Sequence, residues 1–152
     1  MKRHAAVRIA TPGDIPALFD VRTSVRENHM DLAQLAERAI TPGSVVAMLD
    51  SSDARTWVAE HRGVLCGFSM ADGRTGCVFA LFVSPGAEGR GYGRALLKAA
   101  EEWLFDAGWH TIWLQTGREP QNRAHHVYQA AGWVMGGPAG HGEVRYEKRR
   151  AV

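Results

Sequence analysis

Cysteine is scarce in this chain: Cys66 and Cys77 are the only two in 152 residues, and both stand in apolar surroundings with no CxxC spacing and no histidine pair beside them. This excludes a disulfide framework and a thiolate metal site, and it fits buried thiols in a reducing compartment. Long apolar runs are missing as well. None approaches the roughly 18 residues that span a bilayer, and Pro12, Asp14 and Pro16 interrupt the basic start, Met1 to His4, before it could become a secretory signal. A cytoplasmic protein with no membrane association is expected. Nor is one charge in excess, since 18 Lys and Arg face 16 Asp and Glu, and Lys148, Arg149 and Arg150 gather in one stretch rather than along a face. No nucleic-acid partner is expected, and the five tryptophans, without an interleaved basic stripe, read as packing. Repeats, low-complexity tracts and Pro- or Ser-rich linkers are also lacking. Residues 1–152 are therefore read as one domain, and the 45% apolar content suits an ordinary core.

What is present is a regular succession of elements. Val7 to Ala10 reads as a short strand. Thr11-Pro12-Gly13-Asp14 then starts a helix, with Thr11 as N-cap, Pro12 at N1 and Asp14 at N3, and Ile15, Leu18, Phe19 and Arg22 share one flank of it. Asp31 is placed to cap a second helical piece carrying Leu32, Leu35, Ala36 and Ala39, and Thr41-Pro42-Gly43-Ser44 repeats the start signal before Val45, Val46, Met48 and Leu49. The period then changes to two. Strands at Thr56 to His61, Val64 to Ala71 and Cys77 to Val83, divided by turns at Arg62-Gly63 and Asp72-Gly73, predict an antiparallel meander. After the loop Ser84 to Gly93, a helix carries Leu96, Ala99, Ala100, Trp103, Leu104 and Ala107 on one face and ends at Gly108. A strand at Thr111 to Thr116 and a helix from Gln121 to Ala131 follow. Trp133 to Met135 and Glu143 to Lys148 are expected to pair around a glycine-rich turn from Gly136 to Gly142.

The loop carries the chemistry. A strand, Phe79 to Val83, runs into Glu88-Gly89-Arg90-Gly91-Tyr92-Gly93-Arg94, which opens a helix. Alternate glycines let backbone N–H groups converge on an anion, and the positive end of the helix dipole points at the same place. Such a site suits a phosphate, with Arg90 and Arg94 able to add charge-assisted contacts. A P-loop is excluded because counting from Gly86 puts Tyr92 where its lysine belongs. A dinucleotide fingerprint fails because counting from Gly89 and Gly91 reaches Arg94 instead of a third glycine.

The same loop resembles the acetyl-coenzyme A loop of the GNAT superfamily of N-acetyltransferases, written Gln/Arg-x-x-Gly-x-Gly/Ala, with Glu88 as an acid where the family has Gln or Arg. Downstream, Asn122-Arg123-Ala124-His125-His126-Val127-Tyr128-Gln129-Ala130-Ala131-Gly132-Trp133 resembles the family segment Asn-x-x-Ala-x-x-x-Tyr-x-x-x-Gly-Phe, with the spacing before Tyr128 differing by one residue and Trp in place of Phe. Val7 to Ile15 is similar to the family's first strand and helix, so the resemblance spans nearly the whole chain. It implies an α+β fold with a central, mostly antiparallel mixed sheet of about six to seven strands flanked by about four helices. It also implies acetyl-coenzyme A as co-substrate, no metal, and direct attack of a primary amine on the thioester in a ternary complex.

The site residues carried over from the resemblance are Tyr128 as the acid that protonates the leaving thiolate, backbone groups at Phe82 and Val83 for pantetheine, Gly89, Arg90, Gly91, Tyr92, Gly93 and Arg94 for the phosphates, and Asn122 beside them. The base is left open among Glu27, His29 and Asp72. Arg22 to Leu49 lies where this fold builds its acceptor wall, and there, with His29 beside them, Arg26 suits a carboxylate and Glu27 an ammonium, which points to an amino acid, a polyamine or a peptide terminus. His125 and His126 are about 100° apart on a helix and cannot form a metal pair. Two further expectations stay open: a homodimer formed through Val144 to Lys148, and a domain that binds acetyl-coenzyme A as a sensor or interaction module without turnover.

Overall fold

The strand-period segments pair in sequence order. In the computed structural model, which describes residues 6–26, 29–118 and 123–151, β1 (Val7–Ile9), β2 (Ala54–His61), β3 (Val64–Asp72) and β4 (Cys77–Val83) form antiparallel neighbours. Arg62 and Gly63 join β2 to β3 with φ of 54° and 79°. Both central residues of the two-residue turn are thus left-handed, as the twist of a tight hairpin requires. β5 (Thr111–Gly117) then lies parallel beside β4, and β6 (Val134–Gly140) and β7 (Glu143–Arg149) complete the order β1-β2-β3-β4-β5-β7-β6.

Five α-helices flank this sheet among the described residues: α1 (Ile15–Ser24), α2 (Leu32–Glu37), α3 (Pro42–Asp50), α4 (Tyr92–Asp106) and α5 (Ala124–Ala130). The stretch between β1 and β2 breaks into three of them because Asp31 and Thr41 each cap a fresh start, accepting from the backbone N–H of Gln34 and Ser44. Thr11 and Asp14 likewise form a capping box, here on a 3₁₀ turn leading into α1. Arg8 on β1 reaches Asp14 and Glu60, both at 2.8 Å, and fastens that turn to the sheet.

Side-chain alternation divides the core by sheet face. Val58, Phe68 and Met70 pack with Ile15, Leu18, Val21 and Val45 on the face covered by α1 and α3. Trp57, Ala59, Ala71 and Val78 pack on the other face with Leu96, Leu97, Ala100 and Leu104 of α4. Glu101 of α4 is buried as well, at 6% exposure, because Trp133 Nε1 donates to it and Lys148 forms an ion pair with it while also donating to the Ala131 carbonyl. One carboxylate thereby ties α4, the end of α5 and β7 together. Cys66 and Cys77 are both buried and free, and burial, with Asp72 nearby, pushes the Cys77 thiol up to about 12.

Two expectations are corrected here. The stretch Gly136 to Gly142 is not a turn: β6 continues through Gly140 with register shifts at Pro138, and only His141 and Gly142, at φ 51° and 74°, make the bend. The glycines relax the strand instead of ending it. Val144 to Lys148 cannot pair across a dimer axis either, because β7 is hydrogen-bonded on both sides, to β5 and β6. The free edge on that side of the sheet belongs to β6.

Gly67 shows how closely α4 sits on the sheet. A Cβ there would lie 3.0 Å from Leu96 Cδ1 and 3.0 Å from the Phe82 carbonyl oxygen. Gly67→Ala should therefore destabilise the fold by about 1–3 kcal/mol in urea unfolding; an unchanged midpoint would show that β3, β4 and α4 have room to move apart.

Candidate active site

The site begins with a defect in the sheet. β4 pairs with β3 from Gly67–Val83 to Met70–Ala80, skips Phe79, and resumes at Ala71–Val78. This bulge bends β4 away from β5, so that Cys77–Trp113 is the one register pair joining the two strands among the described residues. Beyond it the strands diverge, and a cleft of about 1150 Å³ opens between them.

Backbone direction along the open edge follows from the pairing. Ser84 N–H donates to the Cys66 carbonyl at 2.8 Å, and the Phe82 carbonyl faces Gly67. By the two-residue period, Phe82 and Ser84 spend their backbone groups on β3, while Leu81 and Val83 direct theirs into the opening. Of the two strand residues chosen from the sequence, Val83 thus offers free backbone groups and Phe82 does not; Leu81, one step back, takes its place. Phe82 instead contributes its ring.

At the wide end, Pro85–Ala87 forms a 3₁₀ turn and the chain enters α4 through Gly89 and Gly91, at φ 77° and 87°. Gly91 is the left-handed N-cap, a conformation that strains any residue with a Cβ. The first intrahelical bond is made by Ala95 N–H to the Gly91 carbonyl, which leaves the N–H groups of Tyr92, Gly93 and Arg94 at the positive end of a 15-residue helix. Gly93 faces Val83 and Val127, where an added Cβ would meet both at 3.7–3.9 Å. That is ordinary contact, so the packing of the helix start against β4 and α5 does not itself require glycine here. The N–H groups at this helix start can receive an anion.

The remaining residues chosen from the sequence separate into groups. Gly89, Gly91, Tyr92, Gly93 and Arg94 all line the cleft, Tyr92 with its hydroxyl 2.7 Å from His61 Nδ1. Arg90 is exposed and does not line it. Glu88 forms an ion pair at 2.8 Å with Arg123, a partner that sequence spacing alone could not have identified. Arg26 lines the cleft, whereas His29 does not and donates its Nδ1 proton to the Val25 carbonyl. Asp72 sits at the opposite end of its strand and accepts from Arg74 N–H, so it does not face the opening. Glu27 and Asn122 lie outside the described residues.

Tyr128 stands on the far wall. It is 5% exposed and lines the cleft, with the Thr116 side chain of β5 beside it. Its ring is held between Trp133 at 6.3 Å and Tyr146 at 5.3 Å. Behind it, His125 Nε2 lies 2.9 Å from the Gly117 carbonyl, which can only accept. His125 therefore donates there and turns Nδ1 to the Tyr146 hydroxyl at 2.7 Å. The histidine is part of the support behind Tyr128. Among the described residues no cluster of three potential metal ligands occurs, and no helix is long and apolar enough to cross a membrane.

Residues 22–133 match the acetyltransferase (GNAT) family, and the chain belongs to that family. Solved structures extend the likeness to the whole chain. The PaiA N-acetyltransferase of Thermoplasma acidophilum, crystallised with coenzyme A, superposes with a TM-score of 0.82 at 16% identity over 97% of this chain and 100% of that one. The ribosomal-protein-S18-alanine N-acetyltransferase of Escherichia coli gives 0.72 at 15% identity, with 96% and 94% covered. A point mutant of the spermidine N-acetyltransferase SpeG of Vibrio cholerae gives 0.65 at 17% identity, with 95% and 94% covered. No curated protein matches the chain in sequence.

Burial holds the Tyr128 phenol well above its ordinary value, with Thr116 only partly opposing the shift. A raised folded value means that this group's contribution to stability is complete below the unfolded reference near about 10 and is lost as the pH climbs from there through the folded value. Chemical unfolding of the wild type should weaken more steeply above about pH 10 than that of Tyr128→Phe. Parallel curves would show that the phenol is not shielded from water.

Proposed function

We propose that the protein is an N-acetyltransferase that moves an acetyl group from acetyl-coenzyme A to a primary amine by direct attack within a ternary complex. The observation that carries this reading is the unpaired edge of β4, which leads from Leu81 and Val83 to a glycine cradle and lies opposite a buried phenol. Leu81 and Val83 would bind the pantetheine amides as a further strand, and the N–H groups at the start of α4, with Arg94, would hold the diphosphate. The thioester supplies an activated acetyl carbon. Backbone N–H groups on the open edge of β4 would polarise its carbonyl, and fixing donor and acceptor together would contribute much of the rate.

The acceptor nitrogen, as neutral amine, forms a bond to the acetyl carbon as the carbon–sulfur bond breaks. Tyr128 gives its phenolic proton to the departing sulfur, and the proton lost by the nitrogen restores the phenol through solvent, so the products are the amide and the free thiol. A phenol holds its proton at neutral pH with or without burial, and the raised pKa makes Tyr128 the weaker acid, so the role rests on its place across the cleft from the open edge of β4. Asp72, turned away from the cleft, is set aside as the base. A second reading, a binder without turnover, draws on Glu88, whose pairing engages Arg123 and so keeps that cation from a phosphate.

Release of free thiol from acetyl-coenzyme A in the presence of pooled amines tests both readings. Tyr128→Phe is expected to lower kcat by roughly 10²- to 10⁴-fold while coenzyme A binds as before; full turnover in that variant would end the catalytic role. Binding with no turnover in any pool would favour the second reading. Glu88→Gln should tighten coenzyme A binding by about two- to fivefold, in line with the worth of an exposed ion pair, and the gain should shrink at high salt. Weaker binding in that variant would show that Glu88 itself supports the loop.

A further inference from the structure

An alkylamine carries a proton at neutral pH, so its attack on a thioester needs a group in the cleft that first takes that proton away. Asp72 is turned from the opening and His29 does not line it. The acids that do line the cleft among the described residues are Glu88 and Glu143. Glu88 belongs to the loop of the cradle and is paired with Arg123 at 2.8 Å. Glu143, partly exposed, makes no side-chain hydrogen bond or ion pair among the described residues.

The sheet leaves that carboxylate open by construction. Glu143 is the first residue of β7, directly after the left-handed bend at His141 and Gly142. Arg118 N–H donates to the Gly142 carbonyl at 3.0 Å and fastens the bend beside the end of β5. In the ladder Glu143 lies between Gly117 of β5 and Gly140 of β6, and neither has a side chain to screen it. Arg145, two residues on and on the same face, is engaged elsewhere: it pairs with Glu147 at 3.1 Å and lies 4.4 Å from the centre of the Trp113 ring. Alternation sets the face. Val144 and Tyr146 pack with the core that holds Leu96, Leu104 and Tyr128, so Glu143 projects from the opposite side of the sheet. Thr116, which stands beside Tyr128, is the ladder partner of Val144. The phenol and the Glu143 carboxylate thus belong to adjacent steps of one ladder and approach the cleft from opposite faces. An acid and a base so divided can serve the departing sulfur and the incoming nitrogen without neutralising each other.

Resting on the acetyltransferase reading, we infer that Glu143 is the general base: its carboxylate receives the acceptor ammonium on the face of the sheet opposite Tyr128 and takes one proton from it, directly or through a water molecule. The neutral nitrogen then bonds to the acetyl carbon as the carbon–sulfur bond breaks and Tyr128 protonates the sulfur. An ammonium gives up two protons in becoming an amide. One leaves by way of Glu143 to the water that its partly exposed carboxylate can reach, and the other restores the phenol, so the products are the amide, the free thiol and one proton released to solvent.

The test uses the intact protein, acetyl-coenzyme A and the pooled amines of the thiol-release assay, followed across the pH range. Glu143→Gln keeps the size and polarity of the side chain and removes the base, so kcat/KM at about pH 7 should fall by roughly 10²- to 10⁴-fold, while coenzyme A binding and the urea midpoint stay as in the wild type. The deficit should narrow as the pH rises toward the amine's own pKa, about 10 for an alkylamine, because solvent then removes the proton that the carboxylate removed before. Glu143→Asp, which keeps the carboxylate one methylene further back, should recover part of the rate. Wild-type turnover in Glu143→Gln at neutral pH, or a deficit of the same size at every pH, would overturn the inference and leave the acetyltransferase standing. So would loss of coenzyme A binding in that variant, which would place the residue in cofactor binding instead. If the wild type binds acetyl-coenzyme A and acetylates no pooled amine, the acetyltransferase reading itself fails.

Discussion

The site depends on the failure of β4 and β5 to stay paired. One skipped residue, Phe79, turns β4 off the line of its neighbour, and from there the edge that a flat sheet would have used for β5 is left for something else. An unpaired strand edge is usually a hazard, since its N–H and C=O groups invite association. Here it is enclosed. α4 packs on one face of the sheet and α1 and α3 on the other, and α5 contributes to the far wall, so the edge lies within the cleft.

That arrangement needs the two sides of the opening to be held apart without drifting, and the core supplies the hold. α4 presses Leu96 against β3 at Gly67, where no Cβ intervenes. At its other end Glu101 accepts from Trp133 and pairs with Lys148, linking the helix to the half of the sheet that carries β5 and β7. A buried carboxylate is costly without partners, and supplying them fixes the relative position of the two halves. Tyr128 inherits that position through Tyr146, His125 and Thr116, so the phenol rests on the rigid half and the glycine cradle is built where the other half begins.

Much of this was legible in the chain. The three strands of the meander are where the alternating residues put them, the Thr11, Asp31 and Thr41 starts all function as caps, and the spacing from Gly89 to Gly93 marks the cradle. The misreadings have physical causes. Glycines at 136, 137 and 140 read as a turn, yet a strand tolerates them when its partner β7 supplies the pairing and bulges absorb the misfit. The burial of Glu101 was not marked by any local pattern, because the Trp133 and Lys148 side chains that satisfy it are 32 and 47 residues away. Phe82 and Leu81 could not be told apart without knowing which strand lay on which side, since period two gives the alternation but not its phase.

The sequence by itself determined the order and type of the elements, the left-handed turns that only glycine accepts readily, and the pattern of loop and helix that marks the family. These are local properties, set by propensity, capping and periodicity within a few residues. Only the tertiary structure decided which backbone groups of β4 stay free, that Glu88 meets Arg123, and that Asp72 faces away from the cleft. Each of those depends on residues brought together from separate elements, and contact between distant parts of a chain is settled by packing rather than by any local pattern.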